Sequence, residues 1–172
     1  RRLAAAAARA GLGRAALERE VAALAARAVQ PSPAGYCRLD PAVLRAAPPD
    51  ACRALLRRLL MTVAGSEHPP RSKPLERLST ALRQDQIKGG RTLGGCRLAA
   101  WRGALVVARE SRRLPEPVVM SSLRRVRWDR FECALKGAAP AGRGRLQVTA
   151  LGLEGGRQLK TAGVVPPGGM PA

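Results

Sequence analysis

The sequence predicts an α+β protein, in which an N-terminal small helical bundle is followed by a small antiparallel-sheet region. Two observations support this prediction. Through the first half of the chain, apolar residues recur every three or four positions, which is the spacing of an amphipathic helix. After Gly89-Gly90 the pattern changes to short strand-like runs, and Arg102-Gly103 between two such runs indicates the tight turn of a β-hairpin.

The first two helical segments precede the Pro-Ser-Pro sequence. Residues 1–10 are almost all strong helix formers, and we expect this helix to break at Gly11 and Gly13. The second segment, from Arg14 to Val29, carries a single apolar stripe, and the prolines that follow should end it. The residues of this stripe are Leu17, Val21, Leu24 and Ala28.

Three further helices are predicted from their end signals. Asp40 is a good N-cap, and Pro41 is a good first helical residue. Gly65 supplies the stop of a longer helix, whose apolar face is rich in leucine. The predicted spans are a short helix at 41–46, the longer helix from Pro49 to Gly65, a proline-containing loop at 66–73, and a last helix at 74–84.

The second half of the chain is predicted to form strands. Leu105 and Val107 alternate with Val106 and Ala108, so we expect this strand to be buried on both faces. The predicted spans are strands at 92–101, 104–109, 125–135 and 145–150, and a helix-like stretch at 153–162. These spans divide the chain into a helical region at 1–88, a small hairpin-containing α+β domain at 89–163, and a loop-like tail at 164–172.

The charge of the chain is strongly positive. Its 31 basic and 12 acidic residues give a formal net charge of +19, and a charge of this size on a small protein attracts polyanions, of which nucleic acid is the commonest. Arginine, alanine, glycine and proline are all abundant, so GC-rich codon usage is an alternative source of part of the charge. The basic residues are spread along the chain, which excludes a basic disordered tail.

Aromatic residues are few: Tyr36, Trp101, Trp128 and Phe131. The two tryptophans and the phenylalanine lie in strand-like segments, and we expect them to be core residues. Proteins that bind single strands by base stacking need several exposed rings. The sequence therefore favours recognition of the backbone and shape of folded RNA.

No motif of the chain indicates catalysis or metal binding. Gly11 to Ala16 fits a permissive dinucleotide pattern, but a helix and not a strand precedes it. The stretch Gly137 to Gly144 lacks the Lys-Ser/Thr pair of a phosphate loop. The single histidine, His68, lies in a proline-containing loop. The four cysteines are scattered, which argues against zinc and for reduced thiols in a cytoplasmic protein, and no run of residues is apolar enough to span a membrane.

Six basic residues are the candidate nucleic-acid contacts. They share a position at a predicted helix start or on the predicted hairpin, where guanidinium groups can bind phosphate with two hydrogen bonds. The candidates are Arg71, Lys73, Arg77, Arg91, Arg97 and Arg102. A generically basic surface without a defined binding site is the alternative.

The stretch Gly90 to Leu98, which contains Thr-Leu-Gly-Gly-Cys, and the strand that ends in Arg109-Glu110 resemble the segment that follows the catalytic domain in tRNA(Ile)-lysidine synthetases. Further similar segments occur along the chain to about residue 163. They are Ala34-Gly35-Tyr36 with Leu39-Asp40-Pro41, the helix from Arg53 to Val63, His68-Pro69-Pro70-Arg71 before Leu75-Glu76-Arg77-Leu78, Trp128-Asp129-Arg130-Phe131, and Leu151-Gly152.

This resemblance implies a part in tRNA modification. The family uses ATP and magnesium to join lysine to the wobble cytidine in the anticodon of an isoleucine tRNA. Its ATP is held by an N-terminal domain with a Ser-Gly-Gly-x-Asp-Ser loop, and this sequence has no such loop. The resemblance therefore implies a C-terminal piece that binds tRNA through its helical region and small domain, with no catalytic residue and no cofactor of its own.

Two other functions remain open. The chain could be a stand-alone basic RNA-binding or ribosome-associated protein without enzymatic activity. It could also be a helical interaction module whose charge is incidental. A salt-titrated tRNA-binding assay separates the helical interaction module from both RNA-binding functions, because an incidental charge would give weak binding without any preference for tRNA.

Overall fold

The structure is a computed structural model that describes residues 2–87, 90–110, 112, 114–120, 125–129, 131–134 and 146–149. The chain divides into two compact units, Arg1–Glu110 and Ser111–Ala172. The boundary expected at 88/89 from the sequence thus falls inside the first unit. The predicted helix-like stretch at 153–162, the tail at 164–172 and the glycine-containing stretch at 137–144 lie outside the described residues.

The fold is α+β, with helices and antiparallel sheets, as predicted. The helices are α1 (Arg2–Ala28), α2 (Pro41–Ala46), α3 (Pro49–Ala64) and α4 (Ser72–Arg83). The strands of the first unit are β1 (Val29–Pro31), β2 (Cys37–Leu39), β3 (Arg91–Leu93), β4 (Cys96–Trp101) and β5 (Ala104–Arg109). Those of the second unit are β6 (Val118–Met120), β7 (Arg125–Trp128), β8 (Phe131–Ala134) and β9 (Leu146–Val148).

The first unit consists of helices packed on one face of a five-stranded antiparallel sheet. The strand order is β1-β2-β5-β4-β3. One hydrophobic core joins the buried faces of α1, α3 and α4 to the inner face of the sheet. The sheet contributes Cys37, Leu39, Cys96, Leu98, Leu105 and Val107 to this core. The helices and the hairpin share their core, and this is why the unit extends to Glu110.

The signals at the helix ends act as the sequence predicts. The carboxylate of Asp40 accepts hydrogen bonds from the backbone N–H groups of Ala42 and Val43, at 2.8 and 3.2 Å, and so caps α2. Gly65 ends α3 with a φ of 65°. The N–H of Ser66 donates to the Met61 carbonyl, a bond that closes the last turn of α3 in the usual glycine-terminated geometry.

The expected break at Gly11 and Gly13 is wrong. Helix α1 runs without interruption through both glycines. A glycine in a helix interior costs only about 1 kcal/mol relative to alanine, and the strong helix formers on either side outweigh this. An atom at either Cβ position would meet nothing within 4 Å, so no packing requirement explains these glycines.

One helix start, one divided strand and two further strands also differ from expectation. Helix α4 begins at Ser72 and not at residue 74, because a proline anywhere in the first turn removes only an N–H that has no partner within the helix. The strand predicted at 92–101 is divided by a turn at Gly94-Gly95, where φ is 61° and 82°. The strands β1 and β2 were not predicted, since three residues are too few to show a period.

Strand β5 confirms the prediction of burial on both faces. Leu105, Val106 and Val107 are 3%, 4% and 1% exposed. Leu105 and Val107 belong to the core shared with the helices, whereas Val106 lies on the opposite face of the sheet, outside that core. This one strand therefore contributes apolar side chains to both faces of the sheet.

The second unit contains two two-stranded sheets among its described residues, β6 with β9 and β7 with β8. The predicted strand at 125–135 is a hairpin that turns at Asp129, where φ is 53°. Trp128 is 8% exposed, which confirms its expected core position. Its indole N–H donates to the carbonyl of Glu116, at 3.1 Å.

Replacement of Gly11 or Gly13 by alanine is expected to stabilise the protein by about 0.5–1 kcal/mol each, because alanine restricts the unfolded chain and meets no steric obstacle in α1. Helix content by far-UV circular dichroism and the midpoint of urea unfolding measure this effect. Gly65→Ala is the control, and its positive φ should make that change destabilising. Lower helix content in the Gly11→Ala and Gly13→Ala variants would contradict a continuous α1.

Candidate nucleic-acid interface

The first group of candidate residues lies at the start of α4. Arg71 is the N-cap residue, Lys73 is in the first turn, and Arg77 follows one turn later. All three are exposed, and none forms an ion pair with a described carboxylate. The first turn contains no acidic residue, so no carboxylate there offsets the partial positive charge at the start of the helix. Free N–H groups and cations together suit a phosphate.

The second group lies on the outer face of the five-stranded sheet, opposite the helices. Side chains of a strand alternate between the two faces of its sheet. In β4, Cys96 and Leu98 belong to the core, so Arg97, Ala99 and Trp101 point outward. Arg97 is exposed and has no described carboxylate partner. This strand therefore places a cation and an aromatic ring on a single surface.

Two arginines approach the ring of Trp101 on this outer face. The guanidinium carbon of Arg102 is 4.7 Å from the centre of the Trp101 ring, and that of Arg38 is 5.7 Å away. Both distances are within the range of a cation–π contact. The ring is half-buried, so the expectation that Trp101 is a core residue is wrong. The alternation of side chains along β4 places it on the face that the helices do not cover.

Arg38 was not among the sequence-predicted contacts. It lies in the middle of β2, directly opposite Val106 of β5, and so shares the outer face with Trp101. Its Nε atom is buried and has no hydrogen-bond partner in the described part of the chain. The alternation of Cys37, Arg38 and Leu39 was the only signal in the sequence, and it spans too few residues to identify a strand.

The six candidates do not form one patch. Pro70, which precedes the α4 group, lies against the turn between β3 and β4, because an atom at the Cβ position of Gly94 would be 3.4 Å from the Pro70 Cβ. Arg102 is in the turn at the other end of β4. Strand β4 spans about 17 Å at 3.3 Å per residue. Arg71 and Arg102 are therefore adjacent to opposite ends of one strand.

Arg91 belongs to neither group. It opens the edge strand β3 and is paired with Leu98, so its side chain is on the helix side of the sheet. The residue lies on an edge strand of the sheet and is exposed. The structure thus places Arg71, Lys73 and Arg77 together, Arg97 and Arg102 together, and Arg91 at an edge.

The thiols have the environment of structural cysteines. All four are free, and three are buried. Burial raises the pKa of the Cys37 thiol. Burial also raises the pKa of Cys52, although a hydrogen bond with Ser79 and the charge of Arg83 act in the opposite direction. A thiol with a raised pKa is a poor nucleophile at neutral pH.

The other chemical candidates find no support within the described ranges. His68 is exposed, and no group of three or more potential metal ligands occurs there. The dinucleotide-like Gly11 to Ala16 stretch is in the middle of α1, so it lacks both the preceding strand and the free helix start that phosphate binding needs. No described helix combines the length and the apolar character of a membrane span.

Comparisons with known proteins identify no relative. No family model, no curated protein and no solved structure matches the chain.

The burial of the thiols predicts their order of reaction. In the native protein, the half-buried Cys133 should react with a thiol reagent such as DTNB before Cys37, Cys52 and Cys96, which should react only after unfolding. Stopped labelling followed by peptide mass spectrometry measures the order, and the urea-unfolded protein is the control. Rapid native labelling of Cys52 at pH 7 would contradict its raised pKa.

Proposed function

We propose that this chain is the tRNA-binding C-terminal part of a tRNA(Ile)-lysidine synthetase. In this proposal the chain holds the isoleucine tRNA, while ligation of lysine to the wobble cytidine with ATP takes place on an N-terminal domain outside this sequence. No residue of the chain is assigned a catalytic or ATP-binding role. The isolated chain is therefore expected to bind tRNA without forming lysidine.

The observation that carries the proposal is that the separate segments of the resemblance meet at one place. The turn at Gly94-Gly95 lies against Pro70 and Leu60, since an atom at the Cβ position of Gly94 would be 3.4 and 3.8 Å from their side chains. The Cys96 thiol, 0% exposed, donates to the Leu60 carbonyl at 3.4 Å. The Gly95 carbonyl accepts from the N–H of Glu110 at 2.9 Å.

These contacts give the Thr-Leu-Gly-Gly-Cys sequence a physical reason. Two successive residues with positive φ require glycine most readily. An atom at the Cβ position of Gly94 would be in contact with Pro70, at 3.4 Å. The buried position of Cys96 calls for a small, weakly polar residue. The motif, the His-Pro-Pro-Arg loop and the α3 helix thus specify one junction, and this coherence supports the resemblance.

The charge supports the choice of tRNA as partner. Even if each of the 12 acidic residues neutralised one basic residue, 31 − 12 = 19 positive charges would remain. The six candidate contacts are exposed and without a described carboxylate partner, so they are available to phosphate. In contrast, Arg45, Arg53 and Arg58 are engaged by Asp85, Asp50 and Glu18.

A stand-alone RNA-binding protein would use the same basic residues as the synthetase piece. The two alternatives therefore differ in the coding region around this sequence. An open reading frame upstream that encodes the Ser-Gly-Gly-x-Asp-Ser loop in the same protein would support the synthetase. A start codon directly before Arg1 would instead favour a separate RNA-binding protein. Sequencing of the adjoining coding region distinguishes the two.

The double variant Arg71→Ala/Lys73→Ala is expected to weaken tRNA binding by about 10-fold or more, because each lost phosphate contact lowers affinity and the salt slope. Electrophoretic mobility shift at two salt concentrations measures both quantities.

The matched control is Arg53→Ala/Arg58→Ala, which removes the same formal charge from ion-paired positions on α3. Its tRNA affinity should fall much less. Equal losses in the two double variants would contradict a defined contact at the start of α4 and leave only nonspecific attraction.

A further inference from the structure

The outer face of the sheet has a composition unlike that of an ordinary solvated face. Its positions on β2, β4 and β5 carry Arg38, Arg97 and Trp101, and the remaining ones are occupied by Ala99, Ala104, Val106 and Ala108. None of these seven positions carries a carboxylate. The remaining side chains are small, so the ring and the guanidinium groups are the largest groups at these positions.

The arrangement around Trp101 holds two guanidinium groups in place. Arg102 is exposed in the β4–β5 turn and lies over the ring, and Arg38 reaches the same ring from β2. A guanidinium held by a ring loses less freedom when it binds an anion. A guanidinium that stacks on a ring keeps its edge N–H groups free to donate to phosphate oxygens.

The buried Nε of Arg38 adds an independent observation. This N–H donor has no described acceptor, although most buried polar groups in folded proteins have one. Arg38 also forms no ion pair with a described carboxylate. An anion from a ligand would supply the missing countercharge.

We propose that Arg38, Trp101 and Arg102, which we call the Trp101 cluster, bind an unpaired nucleotide of RNA. The guanidinium groups of Arg38 and Arg102 bind the phosphate. The base stacks on the Trp101 ring, or on the Arg102 plane that covers it. This inference rests on the proposed tRNA-binding function and extends it, since it adds recognition of a single-stranded segment to contacts with the folded backbone.

Charge and chemistry favour this occupant over a protein. No described carboxylate forms an ion pair with Arg38 or Arg97 on this face, or with Arg102 in the adjoining turn. Aromatic rings and arginine planes are the groups on which unpaired bases stack. Double-stranded RNA presents phosphates but no free base face. A comparison of single and double strands therefore tests the ring directly.

The test uses the intrinsic fluorescence of the full chain. Trp101 and Trp128 are its two tryptophans, so a Trp128→Phe variant leaves Trp101 as the reporter. A short oligouridylate should quench this fluorescence, and a blunt RNA duplex of equal phosphate number should quench it much less. Loss of stacking in a Trp101→Leu variant should weaken oligouridylate binding about 5- to 100-fold, as followed by anisotropy of a labelled oligonucleotide.

Two further variants separate stacking from charge and from misfolding. Arg102→Asn removes the guanidinium but suits the positive φ of 47° at this turn, and it should weaken oligouridylate binding several-fold. Arg57→Asn, at an exposed position of α3, removes the same charge elsewhere and should have little effect. Circular dichroism of each variant checks the fold.

The outcomes are distinguishable. If the chain binds tRNA but Trp101→Leu and Arg102→Asn bind oligouridylate as tightly as the unaltered chain, the Trp101 cluster is structural only and this inference is overturned. If the unaltered chain binds neither tRNA nor oligouridylate at low salt, the proposed function itself fails. Loss of oligouridylate binding in both folded variants, with Arg57→Asn unaffected, supports the inference.

Discussion

Packing of the helices on one face of the five-stranded sheet is the interaction on which the first unit depends. Leu56 of α3, 0% exposed, and Leu98 of β4, 0% exposed, lie in the same core. This packing decides which side chains of each strand are inside. A shift of one residue in the register of β4 would bring Arg97 into the core, at a large cost in free energy. The hydrophobic pattern therefore fixes the position of the arginines.

The two faces of the sheet therefore differ in composition. The inner face is apolar and closed by helices, and the outer face carries Arg38, Arg97 and Trp101. Pro70, which precedes α4, lies against the Gly94 turn. This turn is at the end of β4 that is opposite to Arg102. One core thus positions both groups of cations. In the proposed function, a single tRNA would contact both groups through its phosphates.

The sequence predicts the parts that depend on local physical chemistry. Asp40 and Gly65 mark helix ends because capping uses only neighbouring groups. Strand β2 was not predicted, because its three residues form a strand only by pairing with Val107 and its neighbours, which lie far along the chain. Helix α1 continues through Gly11 and Gly13. The low helix propensity of a single glycine is a weak effect compared with the continuity of a long helix.

The candidate site was also predictable only where it depends on the local sequence. The position of Arg71, Lys73 and Arg77 follows from a helix start that the local sequence already indicates. The meeting of Arg38 with Trp101 follows from strand pairing, so the sequence could not show it. Trp101 was expected in the core because a tryptophan in a strand is usually buried. The register alone places it on the outer face.

The most direct test of the account is a salt titration of tRNA binding by the purified chain. If about six phosphate contacts form at the two groups of cations, the affinity should be high at 50 mM salt and fall by roughly 10³-fold at 200 mM. It should also exceed the affinity for a random duplex of equal charge. Absence of tRNA binding at 50 mM salt would contradict the claim that these two groups of cations bind tRNA.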